Sequence, residues 1–280
     1  MITLISTVEV SRIPWLEQFV AHYHGLGVER FLISVQIEPT VCFEQSQKFS
    51  RHAQQILGQF GVELVETIRC QFDAMALRQH HDELQHSICS PDDWVIWADI
   101  DELHGYQADL PSLTRHWATM GYDVVNGQFI DRVAEGGVLR KFDRRKPLWD
   151  QFPIGCNITE KVLQGQTKKV CCARARVGIK YANHDVLKSQ RLSWADTVIG
   201  VHHFKWDATV TRRLRRRIRT SWRSRCPWWL QSSRAIGHIR KNKGRINLAE
   251  LDLIELEKFF SGVRYAKAAS STDGSIHAGI

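Results

Sequence analysis

Nine residues, Trp94-Val-Ile-Trp-Ala-Asp99-Ile-Asp101-Glu102, constrain this chain more than any others: an unbroken apolar run that ends abruptly in acids. With nothing polar between Trp94 and Ala98, the run reads as a short strand buried on both faces. Carboxylates are costly to desolvate, so such a strand can carry them only where it emerges at the edge of the sheet. In extended backbone Asp99 and Asp101 are two apart and project to the same side. Paired hard oxygen ligands at the carboxyl end of a strand suit a divalent cation that itself holds phosphates.

The preceding residues alternate between strand and helix patterns. Ile2 to Thr7 reads as a first strand. A helix opens near Pro14 on the stripe Leu16, Phe19, Val20 and Tyr23, and Gly25 and Gly27 close it. A second strand (28–35) precedes a helix (43–57) that buries Phe49, Ala53, Ile56 and Leu57. A short strand (63–67) is followed by a helix (72–89) with Met75, Leu84 and Ile88 facing inward. This alternation predicts an α/β fold: a mainly parallel sheet flanked by helices, with ligands bound beyond the carboxyl ends of the strands.

After Asp109 the pattern changes. A helix (110–120) and a strand (122–131) lead into a looser region reaching about Val201, where antiparallel strands are expected. Within it, Lys168, Lys169, Arg174 and Arg176 form an alternating basic strand that either meets an anionic acceptor or lines a solvated edge, the edge being the expected reading. A strand over 198–206 carries His202, His203 and Lys205 at its end. From Ala208 the chain reads as helical, with Asn247 and Glu250 opening a last amphipathic helix through Phe260. The expected division is an α/β unit over 1–206, a helical Arg- and Trp-rich extension over 207–265, and a disordered tail over 266–280.

At 280 residues and 43% hydrophobic content the chain can bury a substantial core. No apolar stretch approaches the roughly 20 residues of a membrane helix. The start of the sequence reads as a strand and not as a signal peptide, and seven irregularly spaced cysteines read as reduced thiols, which points to the cytoplasm. The net charge of +8 is concentrated between Arg212 and Arg240, a partner signal for phosphates, nucleic acid or an anionic surface. There, arginines interleave with Leu214, Ile218 and Trp222, making an amphipathic helix. Its apolar stripe can dock on the rest of the protein; the alternative is peripheral attachment to an anionic membrane.

His202 and His203 lie about a hundred residues beyond the acids. A neutral imidazole can complete the coordination of Mn²⁺ or Mg²⁺ held by carboxylates; equally, either histidine can be an ordinary hydrogen-bonded one. The segment Pro14-Trp-Leu-Glu-Gln-Phe-Val-Ala-His-Tyr-His-Gly-Leu-Gly-Val-Glu-Arg-Phe31, the Trp94–Glu102 run and Val201-His-His-Phe-Lys205 together resemble family 2-type glycosyltransferases of GT-A fold, in the branch with a DxDE acid run. The resemblance covers roughly residues 1–206 and implies a nucleotide-sugar donor, a glycan or other hydroxyl acceptor, and inverting transfer. It implies that Asp101 ligates the metal on the donor diphosphate. Asp99 would share the metal or bind the ribose, and His203 would supply a third ligand. Lys205 would neutralise phosphate. The stretch Ser6–Arg12, including Thr7, Glu9 and Arg12, would border the base, with Arg78 near the nucleotide. Val8-Glu9 stands where the family has Asn-Glu, and Gln36-Ile-Glu38-Pro where members carry an acidic run. The resemblance therefore implies no particular base or sugar.

Transfer to a hydroxyl requires its deprotonation by a carboxylate or imidazole within reach. Asp131, which ends an expected strand, ranks first, followed by Glu160 and His184. Two other functions compete. A metal-dependent phosphohydrolase or nuclease needs more acids gathered around two metals. A nucleic-acid-binding protein would use the arginine-rich segment, but the chain carries no RRM, KH or helix-turn-helix signature.

Overall fold

The computed structural model describes residues 1–180, 183–187, 191–221 and 228–256. The expectations for Trp222, for the helix beyond Leu256 and for the tail from 266 lie outside the described residues. The first half alternates as the sequence pattern requires: β1 (Ile2–Glu9), α1 (Leu16–Gly25), β2 (Arg30–Ile37), α2 (Phe43–Gly58), β3 (Leu64–Arg69), α3 (Ala74–Ile88) and β4 (Trp94–Trp97). Then come β5 (Glu102–Gly105), α4 (Leu110–Thr119), β6 (Val124–Val133), α5 (Leu148–Gln151), β7 (Ile154–Cys156), α6 (Ile158–Lys161), β8 (Lys168–Arg174) and β9 (Trp194–His203). Two helices follow, α7 (Val210–Ser221) and α8 (Trp228–Lys241). Pro14 lies inside a 3-10 turn (Val10–Trp15) that leads into α1 and does not open the α-helix itself.

The strands form one mixed sheet in the order β3-β2-β1-β4-β8-β6-β9-β5, with β7 alongside β6. β1 pairs in parallel with β2 and β4, β2 with β3, and β6 with β9. β8 runs antiparallel to both β4 and β6, so β6 and β9 point the same way as the first four strands. The fold is thus α/β with a mostly parallel sheet flanked by helices, the Rossmann-like arrangement. All four residues of β4 are buried, as an interior parallel strand demands. Burying side chains of this size contributes about 1.5–3 kcal/mol each.

Four expectations are corrected. β8 is interior to the sheet, not a solvated edge, and Lys169 is buried within it. On α3 Leu84 packs against the core as expected, but the buried residues are Arg78 and Gln85, whereas Met75 and Ile88 are exposed. His81 and His80 meet Thr7 and Ser34, so the helix turns polar residues toward a polar part of the sheet. Asp99 and Asp101 do not lie on extended backbone: the Glu102 N–H donates to the Asp99 carbonyl (2.8 Å), closing a turn. Finally, Asn247 caps only one 3-10 turn (Leu248–Glu250). The chain then bridges β7, Leu253 opposite Cys156, with the Ile254 N–H donating to Gly155, so these amides find partners without a helix.

α7 and α8 pack together, and Val210, Leu214, Ala235 and Ile239 share an apolar cluster with Val133, Cys156, Ile158 and Trp206. Val210 and Leu214 of α7 are thus packed on the end of the sheet and Ile218 is half-buried, while Arg212, Arg215 and Arg219 remain exposed. Among the described residues no helix is long and apolar enough to cross a membrane, and six cysteines are free thiols.

Candidate functional site

The acid turn begins where β4 leaves the sheet. Its far end is Glu102, the first residue of β5, which pairs opposite His203 on β9. The Phe204 N–H donates to the Asp101 carbonyl (2.7 Å), fastening the turn to the end of β9. On the other side of β9, His203 stands opposite Asp131 on β6. Glu102, His203 and Asp131 thus form one cross-strand row, and strand alternation sends His202 to the opposite face. There His202 is fully buried against Arg132 and Trp149, and burial holds its pKa well below the ordinary histidine value.

Asp131 is buried with both oxygens occupied. It accepts from the Thr159 N–H (2.6 Å) and hydroxyl (3.0 Å), Trp206 Nε1 (2.9 Å) and His203 Nδ1 (3.3 Å). Burial alone would raise its pKa, but these donors hold it below the usual value, so it stays ionised. A carboxylate buried and engaged in this way orients His203 and is closed off from an acceptor. Because the carboxylate can only accept, the hydrogen between the two groups sits on His203 Nδ1. Phe129 stacks on the imidazole, ring centroids 4.8 Å apart.

Every acid of the turn has a cation beside it. Lys169 is 2% exposed; its ammonium pairs with both oxygens of Glu102 and lies 3.5 Å from Asp99. Burial favours the neutral amine, but Asp99 and Glu102 more than offset this and raise the lysine pKa. Asp99 itself is 68% exposed at the mouth of the site. Asp101 meets Arg12 (3.1 Å) and Arg213 (3.6 Å). Burial opposes its ionisation, yet Arg12, His203 and Arg213 hold its carboxyl well below the usual range. Arg12 and Arg213 also both reach Asp207, at 3.0 and 3.1 Å, which completes an alternating ring of two guanidiniums and two carboxylates.

The other sequence candidates fall around this centre. Glu9 pairs with Arg216 of α7 (2.7 Å). The Thr7 hydroxyl bonds to His81 Nε2 (2.8 Å), and His81 is close enough to feel the charge of Asp99, although burial dominates and pushes its pKa down to about 3. Arg78 reaches Asn183 (3.3 Å) and pairs with Asp82. Burial and Arg217 push the Lys205 ammonium down to about 7. His184 borders the site: its ring meets Phe129 edge-on, and its Nδ1 donates to the Lys168 carbonyl (2.6 Å), leaving Nε2 as acceptor. Burial lowers its pKa, so it is neutral near pH 7. Glu160 is exposed on α6, where it accepts from Asn157.

Sequence reasoning missed Lys169, Arg213, Arg216 and Asp207. For Lys169 a signal existed: it directly precedes Val170-Cys-Cys-Ala173, a run as apolar as β4, and a lysine on such a strand needs a buried acid. In kind, Asp99, Asp101 and the Nε2 of His203 are donors that fit a hard divalent cation. Among the described residues, however, no three such side chains are drawn up around one point. Arg12 and Lys169 pair with the carboxylates instead, and Arg213 stands 3.6 Å from Asp101.

No family model matches the sequence, and no curated protein does. Among solved structures, the chain is similar to UDP-glucose pyrophosphorylase complexed with UDP-glucose, at 12% identity over 56% of this chain and 67% of that one, with a TM-score of 0.25. A likeness at that level assigns neither family nor activity.

Proposed function

We propose that this chain is a glycosyltransferase of GT-A type that moves a sugar from a nucleoside diphosphate donor to a hydroxyl acceptor. One observation carries the reading: the β5–β9–β6 register sets His203 between the acid turn and Asp131, at the carboxyl end of the parallel strands and ringed by arginine and lysine. Acids that can hold a metal, together with cations that can meet phosphate, suit a phosphorylated ligand better than either alone. Asp99, Asp101 and His203 would hold Mn²⁺ or Mg²⁺, whose Lewis acidity would favour departure of the diphosphate.

The chain's own residues account for the other requirements. Asp131 fixes the tautomer and aim of His203. Glu9 and Thr7, at the end of β1, border the space for the base. His184, neutral and presenting Nε2, is the group best placed to take the acceptor's proton, and it replaces Asp131 in that role. Lys205 and Arg12 supply positive charge beside the leaving group.

A thermal-shift panel of nucleotide sugars with and without Mn²⁺ tests this, because a ligand that binds only the folded state raises its melting temperature. We expect at least one UDP- or GDP-sugar to raise Tm in the presence of the metal, and Asp101→Asn to remove that shift. His184→Ala should retain the shift while lowering turnover by roughly a hundredfold, the usual worth of a general base. A panel without any shift refutes the assignment.

A further inference from the structure

The arginine-rich helix α7 is the part of the molecule that the reading above leaves without a task. Its described span carries arginines at 212, 213, 215, 216, 217 and 219 and no acid. Like charges three and four residues apart repel along a helix. Two of these arginines nevertheless turn toward the candidate site, where Arg213 meets the acid turn and Arg216 meets Glu9.

Arg213 is held as a preset donor. Its Nε donates to the Thr209 hydroxyl (3.2 Å), while Nη2 donates to Asp207 (3.1 Å) and to the Lys205 carbonyl. Those contacts fix the plane of the guanidinium. The remaining nitrogen, Nη1, lies 3.6 Å from Asp101, beyond hydrogen-bond length. The fork therefore points a charged donor at the acid turn without spending it there. Arg216 is half-exposed, and its one short carboxylate contact, to Glu9, lies at the carboxyl end of β1.

We propose that α7 belongs to the donor site, with Arg213 and Arg216 binding the diphosphate of the nucleotide; this rests on the donor reading above. A diphosphate offers several oxygens to planar guanidinium forks and offsets the self-repulsion of the helix. The basic segment then serves catalysis from within the fold, and its charge is explained without an external partner.

Calorimetric titration of the full chain with UDP, GDP and inorganic pyrophosphate, in Mn²⁺, tests the proposal. Arg213→Gln should weaken binding of the diphosphate that the unaltered chain takes by roughly 10- to 100-fold, the worth of one or two charged hydrogen bonds. Arg216→Gln should weaken it by roughly 3- to 10-fold, and Arg213→Lys should fall between Arg213→Gln and the unaltered chain. Arg240→Gln on α8 removes the same charge elsewhere and should leave binding intact. If Arg213→Gln does not fold, Arg213→Lys and Arg216→Gln decide. Unaltered binding in the α7 variants, or equal loss in Arg240→Gln, overturns this inference alone. Failure of the unaltered chain to bind any of the three probes overturns the donor reading itself.

Discussion

A lysine inside a sheet is tolerable only in company. Lys169 pairs with Glu102, which is itself buried, and the two neutralise each other next to the exposed Asp99. Removing one partner leaves an uncompensated buried charge, whereas removing both leaves an apolar contact. Lys169→Met should therefore destabilise the protein by about 3–5 kcal/mol. Adding Glu102→Leu should recover most of that loss in urea denaturation; a double variant less stable than the single one contradicts the pairing. Asp131 teaches the same point. Although β6 runs two residues beyond it, to Val133, that it sits on an apolar strand was legible in the sequence. Its four donors come from Thr159, Trp206 and His203 and were not, because nothing local connects those positions.

At the scale of the element, β6 is the strand on which the site depends, since it lies between β8 and β9 and carries Asp131. Gly127, within it, has no room for a side chain. A Cβ there would stand 2.2 Å from Cys171 Sγ, 2.7 Å from Val201 Cγ2 and 2.9 Å from the Ile199 carbonyl. Gly127→Ala should cost about 1–3 kcal/mol through overpacking, and Cys171→Ala in the same chain should return part of it by clearing the nearest contact. Melting curves of the single and double variants check both statements. The first half of the fold was readable element by element from its apolar residues, except that the apolar positions of α3 gave its existence and not its inward face. β7 was not, since a three-residue strand gives no alternation to read, and β8 was read as a strand but placed at an edge, because its basic ends mask the apolar Val170–Ala173 between them.

At the scale of the whole molecule, the sheet is backed by buried histidines. Burial pushes His22 down to about 4 and holds His104 and His202 well below the ordinary value. In the unfolded chain each takes up a proton near pH 6.5. Acid therefore favours unfolding: the stability these groups permit is complete above pH 6.5 and is lost as pH falls toward 4. For His22 alone, full loss amounts to on the order of 3 kcal/mol, at 1.36 kcal/mol per unit. The depressed carboxylates Asp99, Asp101 and Asp131 add their loss only below the ordinary carboxylate range. Tm should therefore fall steadily from pH 6.5 to pH 4.5; a flat profile across that window counts against neutral buried imidazoles.

What the sequence determined by itself was the alternating half of the fold and the place where its chemistry had to lie. A strand apolar on both faces must be interior, and acids can follow it only where they meet water or buried cations. Tertiary structure decided which cations answer those acids. Lys169 comes from β8, Arg12 from the turn after β1 and Arg213 from α7. Electrostatic pairing depends on distance in space, and hydrophobic periodicity reports only which face a residue turns inward, not what it will meet there.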